Sequence, residues 1–512
     1  MATRYTAYAN PDEIGIVHEA AAEESFDAVF VGTGIGGMMG AMICAEQMPE
    51  ARILLLDKAN ICGGLTRFAE RNAPKPGMPW VDALREGHRI AAESKYIKDA
   101  RLYAERAYDY GKNSAWMYLK HHFKLRRSAG FTPAYEGGNG VKPIAQLKAE
   151  IDAGGIYKNV EIRLNTRATA LLLEDAYTCT GLQVLGPDGR YTDIHAKAVV
   201  LATGGMSNNF ELLQYYTGQD IIGKCEAWPK GQDGDGHLMV EQTAHGKCKS
   251  ICLSSLLNHV KGFPYGSTVS VAVCQNPTCL FVNQDGERFV DEGSLKDVTY
   301  CKCVEQQGKV FSILGSGLRE RYENGGLKRM QSIGEPRSHE IWDMGEELER
   351  QKDNENVFYA ETLEELAGKM GVPAETFVET VRQYDAWCEA GSGDPIFGKS
   401  PDNMYPMGPG PYYAFRVYSG ILNTNNGIRI NHNAQVVDPF YKPVEGLYAA
   451  GICASGFNGE VYSVATCQSS STWAGSKAAR HLIEHCCGGK VADDWYGECE
   501  YTPDCVIAYE DD

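Results

Sequence analysis

The chain has 512 residues, of which 43% are hydrophobic and 23% are charged, an ordinary globular composition that predicts about two to four domains. Its formal net charge is −18 and no basic patch stands out, which argues against a nucleic-acid partner. No apolar run approaches the ~20 residues that a membrane span needs, so we expect no span.

The N-terminal residues 1–24 are polar and of mixed charge. They lack the basic segment and the apolar segment that together make a secretory signal. We therefore expect a cytoplasmic protein whose first residues lie across its surface.

A glycine-rich stretch between two apolar runs carries the first functional signal. Residues 26–31 predict a β-strand, residues 32–37 contain glycines at 32, 34 and 37, and a helical pattern follows. The second apolar run, residues 52–56, ends in Asp57. Such glycines let the backbone approach a pyrophosphate, and an acid about 20 residues later can bind a ribose. The stretch predicts a dinucleotide-binding unit, with a purely structural turn as the alternative.

The next segments mix helical and strand patterns. A second glycine pair, Gly63-Gly64, follows the strand that ends at Asp57. Residues 81–125 predict helix. Its expected inner positions are Leu84, Ile90, Tyr103, Tyr110 and Leu119. Residues 160–164 and 168–174 predict strands, and Asp188-Gly189 predicts a hairpin turn.

A continuous apolar strand at residues 198–202 runs into Thr203-Gly204-Gly205 and should return the chain to the first sheet. Between about residues 258 and 423 the sequence pattern changes. Strand-like runs at 269–273 and 280–282 alternate there with predicted acidic helices at 362–370 and 376–387. We interpret this region as an inserted domain. Apolar strand-like runs next to glycines, as in the first part of the chain, occur again at residues 427–430 and 446–451. A predicted helix at about 468–485 follows them.

Seventeen cysteines are many for a chain that we expect to be cytoplasmic, where thiols stay mostly reduced. Their spacings contain no C-x-x-C pair, and no histidine completes a zinc pattern. We therefore predict inert thiols and no metal site. The alternative is an iron–sulfur or metal site, for which the C-terminal cysteines are the candidates.

These stretches together resemble the FAD-dependent fumarate reductase/succinate dehydrogenase flavoprotein superfamily, above all soluble fumarate reductases and 3-oxosteroid dehydrogenases. The motifs that carry the resemblance are residues 32–37, 199–205, 234–236, 282–292 and 446–451. It implies an α/β fold in which a Rossmann-like FAD-binding domain is built from residues 1–257 and 424–512. Residues 258–423 would form an α+β capping domain that covers the substrate.

The resemblance also implies which residues hold the FAD. They are Gly32, Gly34, Ile35, Gly36, Gly37, Asp57, Lys58, Gly63, Gly64, Leu65, Thr66, Ala168, Thr203, Gly204, Gly205, Asn209, Asp235, Gly451, Gln468 and Ser469. The chemistry it implies is hydride transfer at a carbon–carbon bond next to a carbonyl. The direction, reduction or dehydrogenation, is set by the potential of the flavin and by the electron partner.

Two departures from fumarate reductases bear on the substrate. Asn423 stands where those enzymes have a histidine, and Tyr462 stands where they have an arginine that clamps a carboxylate. A tyrosine cannot replace the guanidinium fork, so fumarate is not the expected substrate. Aromatic residues of the inserted region favour a flat, neutral ring such as a steroid or a polyphenol-like enone. They are Phe263, Tyr265, Tyr300, Tyr412, Tyr413, Phe415 and Tyr418.

The resemblance to 3-oxosteroid dehydrogenases implies that Tyr462 exchanges the proton, with simple packing as the alternative. Arg319 matches the place of the arginine proton donor of fumarate reductases, and Glu292 and Lys296 are candidates for a relay to solvent. Electrons would come from a nicotinamide or an electron-transfer protein. The rival function is an electron-transfer flavoprotein subunit that carries a cysteine-bound cluster and docks on a partner.

Overall fold

The structure of the chain is a computed structural model that describes most of the residues. The described ranges are 13–69, 76–93, 99–126, 134–135, 139–227, 230–245, 252–263, 267–293, 301, 303–325, 344–425, 427–457, 466–497 and 508–509. Two predicted catalytic residues, Tyr462 and Lys296, lie outside these ranges, and so do Tyr265 and Tyr300.

Strands and helices follow one another along the chain. The strands are β1 (Ala22–Val31), β2 (Ile53–Leu56), β3 (Leu125–Arg126), β4 (Ala134–Tyr135), β5 (Val160–Arg163), β6 (Arg167–Asp175), β7 (Thr178–Leu185), β8 (Tyr191–Leu201), β9 (Cys225–Ala227), β10 (Cys252–Val260), β11 (Leu280–Asn283), β12 (Val310–Leu314), β13 (Val357–Ala360), β14 (Tyr412–Asn425), β15 (Gln435–Val437), β16 (Pro443–Ala449) and β17 (Ala508–Tyr509). The helices are α1 (Ile35–Gln47), α2 (Trp80–Glu93), α3 (Ala100–Ala115), α4 (Val141–Asp152), α5 (Phe210–Thr217), α6 (Asp235–Met239), α7 (Thr268–Gln275), α8 (Ser316–Gly325), α9 (Gly345–Arg350), α10 (Leu363–Met370), α11 (Ala374–Ala390) and α12 (Thr466–His485).

The chain divides into two compact units. The first unit comprises Met1–Gln219, Pro229–Leu253 and Asn423–Asp512, and the second comprises Asp220–Trp228 and Ser254–Leu422. A separate cluster of buried apolar side chains fills each of them.

The main sheet of the first unit has, among the described residues, eight strands. Their order is β15-β16-β7-β8-β1-β2-β5, with β6 paired to β7. Strand β1 runs parallel to both β2 and β8, so that Phe30 lies opposite Leu55 on one side and Val200 on the other. These strands read as continuous apolar runs because both of their faces are buried. The predicted hairpin between β7 and β8 is confirmed by their antiparallel pairing.

Helix α1 connects β1 to β2, and residues 35–45 of it are buried all round. A helix that is apolar on every side fits this position, since it packs on the sheet and also against α12. The crossing of these two helices is close: a Cβ at Gly475 would collide with the backbone of Gly36. The predicted closing helix is thus the element that covers α1.

The second unit contains a six-stranded sheet within the described ranges. Its order is β10-β14-β12-β11, and β13 and β9 also pair with β14. Strand β9 pairs with β14 in parallel, through Cys225 opposite Ser419. Helix α10 begins after Thr362, whose side chain accepts the Glu365 N–H, and ends at Gly371, whose φ is 70°. Both are ordinary helix-terminus signals, and the sequence had predicted helix at 362–370.

The strand-like interpretation of residues 269–273 is wrong, because they lie inside α7. The side chain of Ser267 caps this helix by accepting the Ser270 N–H. A short apolar run has no period that separates a buried helix from a buried strand, so the capping serine was the usable signal.

The inner face predicted for residues 81–125 is also inaccurate. All five predicted inner side chains are only partly buried, whereas Ala83, Gly87, Leu102, Ala104 and Arg106 are buried. The face of α3 that meets α12 carries charged side chains: Glu105 pairs with Lys477, and Asp109 pairs with Arg480. Hydrophobic periodicity cannot detect a helix contact that is built from ion pairs.

Candidate active site

The turn after β1 is fixed by Asp57. Its Oδ2 accepts the Thr33 N–H at 2.9 Å and the Thr33 hydroxyl at 2.6 Å, while its Oδ1 accepts the Ala59 N–H at 2.9 Å. The Thr33 oxygen in turn accepts the Gly63 N–H at 3.0 Å. The acid after β2 therefore binds the two glycine loops together, and its role as a ribose acceptor stays a prediction. Sequence reasoning missed Thr33, whose signal was its place between the first two glycines.

One group of glycines around α1 is required by close packing. A Cβ at Gly32 would collide with the carbonyl of Ala202, and one at Gly37 would collide with the carbonyl of Gly32, both well inside 3.0 Å. At Gly36 a Cβ would lie 2.9 Å from the Ser471 carbonyl oxygen. These positions hold α1, β8 and α12 together, so their glycines are structural in the first place.

A second group of glycines faces open space, and we name it the glycine cradle. It consists of Gly34, Gly64, Gly204 and Gly451. A Cβ added at any of these four glycines would lie at least 3.5 Å from the heavy atoms of all residues other than its neighbours in the chain. Gly34 stands directly before α1, and the Ile35 N–H donates to Thr66 Oγ1 at 3.0 Å. Open backbone at a helix N-terminus is what a pyrophosphate needs, so the residues present fit a dinucleotide cofactor.

The predicted cofactor residue Asp235 lies in a buried ion network. Arg167 donates to its two oxygens at 2.7 and 3.0 Å, and Lys58 donates at 2.8 Å. Lys58 also pairs with Asp233 at 2.7 Å. Burial raises the pKa of the Asp235 carboxyl, but Lys58 and Arg167 outweigh it and hold the pKa below its usual value. Arg167 was not foreseen, although it directly precedes the predicted Ala168.

The remaining loop residues lie close to this network. Asn209 caps α5 by accepting the Leu212 N–H, and its side chain also donates to the Asp233 carbonyl at 3.3 Å. Gly205 packs so closely on Thr424 that a Cβ would lie 2.5 Å from the threonine hydroxyl oxygen. This contact brings the end of β14 to the loop that follows β8.

Asn423 lies at this strand end and is fully buried. Its Nδ2 lies 3.6 Å from the Cys467 sulfur, in the first turn of α12, and its Oδ1 has no hydrogen-bond partner in the described part of the chain. Gln468 and Ser469 follow in the same turn, and Gln468 donates to the Tyr135 hydroxyl. The structure thus brings Asn423, Gln468 and Ser469 together.

The proton-donor candidate Arg319 and the relay candidate Glu292 lie in the second unit, each with partners of its own. Arg319 on α8 pairs with Glu323 at 2.9 Å. The Glu292 side chain is fully buried, with Oε2 at 3.2 Å from Arg288 and 3.1 Å from Lys399. Its Oε1 accepts the Phe281 N–H at 2.8 Å. The catalytic roles of Arg319 and Glu292 stay predictions.

The cysteines whose side chains the structure describes are not disulfide-bonded. Burial raises the pKa of several of them, to about 11 for Cys62 and Cys453. Within the described ranges, no three His, Cys, Asp or Glu side chains are placed to hold a metal ion. None of the described helices has the length and apolarity that are needed to cross a bilayer.

Residues 27–462 of the chain match the FAD binding domain family. The chain belongs to this family. Among its relatives, the vinyl phenol reductase of Lactiplantibacillus plantarum is 27% identical over 494 residues, which cover 91% of this chain and 98% of the relative. The 3-oxosteroid 1-dehydrogenase of Mycobacterium tuberculosis is 26% identical over 364 residues, which cover 64% of this chain and 59% of the relative. A flavocytochrome c3 fumarate reductase, solved in its open conformation, superposes with a TM-score of 0.66 at 22% identity over 90% of this chain and 79% of that one.

The family match and the relatives confirm the predicted superfamily and FAD as the cofactor. The chain is a flavin-dependent oxidoreductase with the α/β FAD-binding fold of the fumarate reductase family. That the glycine cradle and the first turn of α12 hold this cofactor stays a prediction.

Proposed function

We propose that the enzyme reduces a carbon–carbon double bond conjugated with a neutral ring, such as a vinyl phenol or a steroid-like enone, or runs the reverse dehydrogenation. The observation that carries the proposal is the buried, uncharged Asn423 at the end of β14, beside the first turn of α12. A neutral amide can hydrogen-bond a phenol or ketone oxygen, but it cannot balance the charge of a carboxylate. The relatives that act on a vinyl phenol and on a 3-oxosteroid support this substrate class.

When bound, FAD supplies the hydride-transfer chemistry. The residues of the chain then have to orient the alkene and deliver a proton to the carbon that does not take the hydride. In our proposal Asn423 holds the ring oxygen, and Tyr462 gives the proton to that carbon. Arg319, with Glu292 and Lys296 as a relay, is the second candidate for the proton.

The proposal also assigns a function to each part of the chain. Residues 1–257 and 424–512 bind FAD, and residues 258–423 cover the substrate. A nicotinamide or an electron-transfer protein supplies the electrons. The similarity to a protein that is named as a vinyl phenol reductase supports an enzyme more than an electron-transfer subunit.

The proposal is tested by product analysis. FAD-loaded enzyme is kept reduced under anaerobic conditions and is given 4-vinylphenol, a 3-oxo-4-ene steroid, urocanate or fumarate. We expect the ring-conjugated neutral substrates to gain two hydrogen atoms, as seen by mass spectrometry, and fumarate to remain unchanged. Conversion of fumarate or urocanate alone would contradict the proposal, because both carry a carboxylate.

A further inference from the structure

Arg106 on α3 is a buried cation that the proposed reaction does not use. Its side chain is 7% exposed, and its Nε has no hydrogen-bond partner in the described ranges. Nη1 donates to the Ser469 hydroxyl at 3.1 Å, and the guanidinium lies 4.4 Å from the centroid of the Tyr103 ring. None of the described carboxylates forms an ion pair with it. A buried guanidinium that lacks a carboxylate is costly, which points to an electron-rich ligand.

Arg106 meets the N-terminus of a long helix. Helix α12 has 20 residues, so its first turn carries the positive end of the dipole. Two acceptors near this turn are buried and lack partners among the described residues: Gln468 Oε1 and Asn423 Oδ1. Burial lowers the pKa of the Arg106 guanidinium, while Tyr103 and Tyr110 act in the opposite direction. The turn therefore offers one free N–H donor, two free acceptors and a positive field.

This turn is within reach of a cofactor whose pyrophosphate occupies the glycine cradle. Ser471, one turn further along α12, is the nearest side chain to the cradle position Gly451, at 3.9 Å from a Cβ built there. Gln468 and Ser469 precede Ser471 by two or three residues, which corresponds to roughly 3–5 Å of helix rise. A bound FAD that starts at the cradle can place its ring system near the first turn of α12.

We propose that Arg106 and the first turn of α12 bind the pyrimidine edge of the flavin ring, and that Arg106 stabilises the negative charge this edge gains on reduction. The edge presents two carbonyl acceptors on either side of an N–H donor. The Nε–H of Arg106 can therefore donate to one of these carbonyls, and Gln468 Oε1 can accept the ring N–H. Arg106 then contacts the cofactor directly and raises its reduction potential.

The test is the midpoint potential of the FAD-loaded protein, measured by equilibration with reference dyes. Arg106→Gln should shift the ratio of reduced to oxidised flavin at a fixed potential at least tenfold toward oxidised, equivalent to about 30 mV for a two-electron couple. Arg106→Lys keeps the charge but loses the Nε–H fork, so we expect a shift of at least threefold in the same direction. If Arg106→Gln does not retain flavin, the midpoint potential of Arg106→Lys tests the proposal instead.

Arg480→Gln is the matched control. It also removes a cation between α3 and α12, but one that pairs with Asp109 and lies eleven residues beyond Ser469. Its flavin ratio should change less than twofold. A midpoint potential that is unchanged in the Arg106 variants overturns the proposal. An unchanged potential with weaker substrate binding would assign Arg106 to the substrate instead, and an unchanged potential with a lower melting temperature would assign it to helix packing.

Discussion

At the scale of single residues, the glycines of the nucleotide loop have two different reasons to be glycine. Gly34 has ordinary φ and ψ of −64° and 170°, and a Cβ there would meet only Thr66 Oγ1 and the Gly63 carbonyl oxygen, at 3.5 and 3.9 Å. A side chain at this position is thus compatible with the fold but fills the cradle. Gly37 has no such tolerance, because its Cβ would collide with the backbone of Gly32.

We therefore predict that Gly34→Val yields a folded protein without flavin. The bound flavin, measured as the absorbance ratio near 450 and 280 nm, should fall by at least about tenfold because the side chain takes the space of the pyrophosphate. Far-UV circular dichroism should stay unchanged. Gly368→Ala, at a helical glycine with nothing within 4 Å of its Cβ, is the control and should keep its flavin. A yellow Gly34→Val protein would disprove the assignment of the cradle.

Tyr462 carries the second prediction at this scale. Tyr462→Phe keeps the aromatic ring and removes only the hydroxyl, so turnover should fall by about 10²–10⁴-fold if the phenol gives the proton. Flavin content and the apparent substrate affinity should change little. Tyr359→Phe removes an exposed phenol of the second unit and serves as the control. Near-normal turnover of Tyr462→Phe would transfer the role to Arg319.

At the scale of secondary-structure elements, a buried ion network ties the start of α6 to β6 and to the end of β2. Asp235→Asn would leave Lys58 and Arg167 buried without their shared anion. We expect a loss of about 3–5 kcal/mol in the free energy of unfolding at pH 7, measured by urea denaturation. Asp82→Asn, in the exposed pair with Arg85, should cost less than about 1 kcal/mol.

The pH dependence of this loss has a defined sign. The folded pKa of Asp235 is depressed, so its stabilisation is present above the unfolded value of about 3.9 and is lost as the pH falls through the folded pKa. The difference between wild type and Asp235→Asn should therefore shrink between pH 7 and about pH 3. A difference that grows as the pH falls would mean that Asp235 is not the anion of the network.

Elements with a strong local signal could be predicted from sequence. The unit β1–α1–β2 was recognisable because apolar strands, spaced glycines and a terminal acid agree with one another. Residues 269–273 were misassigned because a run of five residues, four of them apolar, is too short to separate a helical period from that of a strand. Arg106 was missed because its burial depends on the contact between α3 and α12, which are more than 350 residues apart in sequence.

At the scale of the whole molecule, the discontinuous architecture was only partly visible in the sequence. The predicted domain limits were 257/258 and 423/424, and the compact units change at 253/254 and 422/423. The second unit also takes Asp220–Trp228, because β9 in this segment pairs with β14. Pairing between strands that are distant in sequence produces no local sequence pattern. The assignment of Asp220–Trp228 to the second unit could therefore not be predicted from the sequence.

The central claim is that this flavoenzyme reduces a neutral, ring-conjugated double bond. The most direct measurement is the rate at which 4-vinylphenol and fumarate reoxidise the flavin of the reduced enzyme in an anaerobic stopped-flow experiment. We predict that 4-vinylphenol reoxidises the flavin at least about 10²-fold faster at equal concentration, because Asn423 and Tyr462, which stand in place of a histidine and an arginine, give the carboxylates of fumarate no cationic partner. Reoxidation by fumarate at an equal or higher rate would contradict the account.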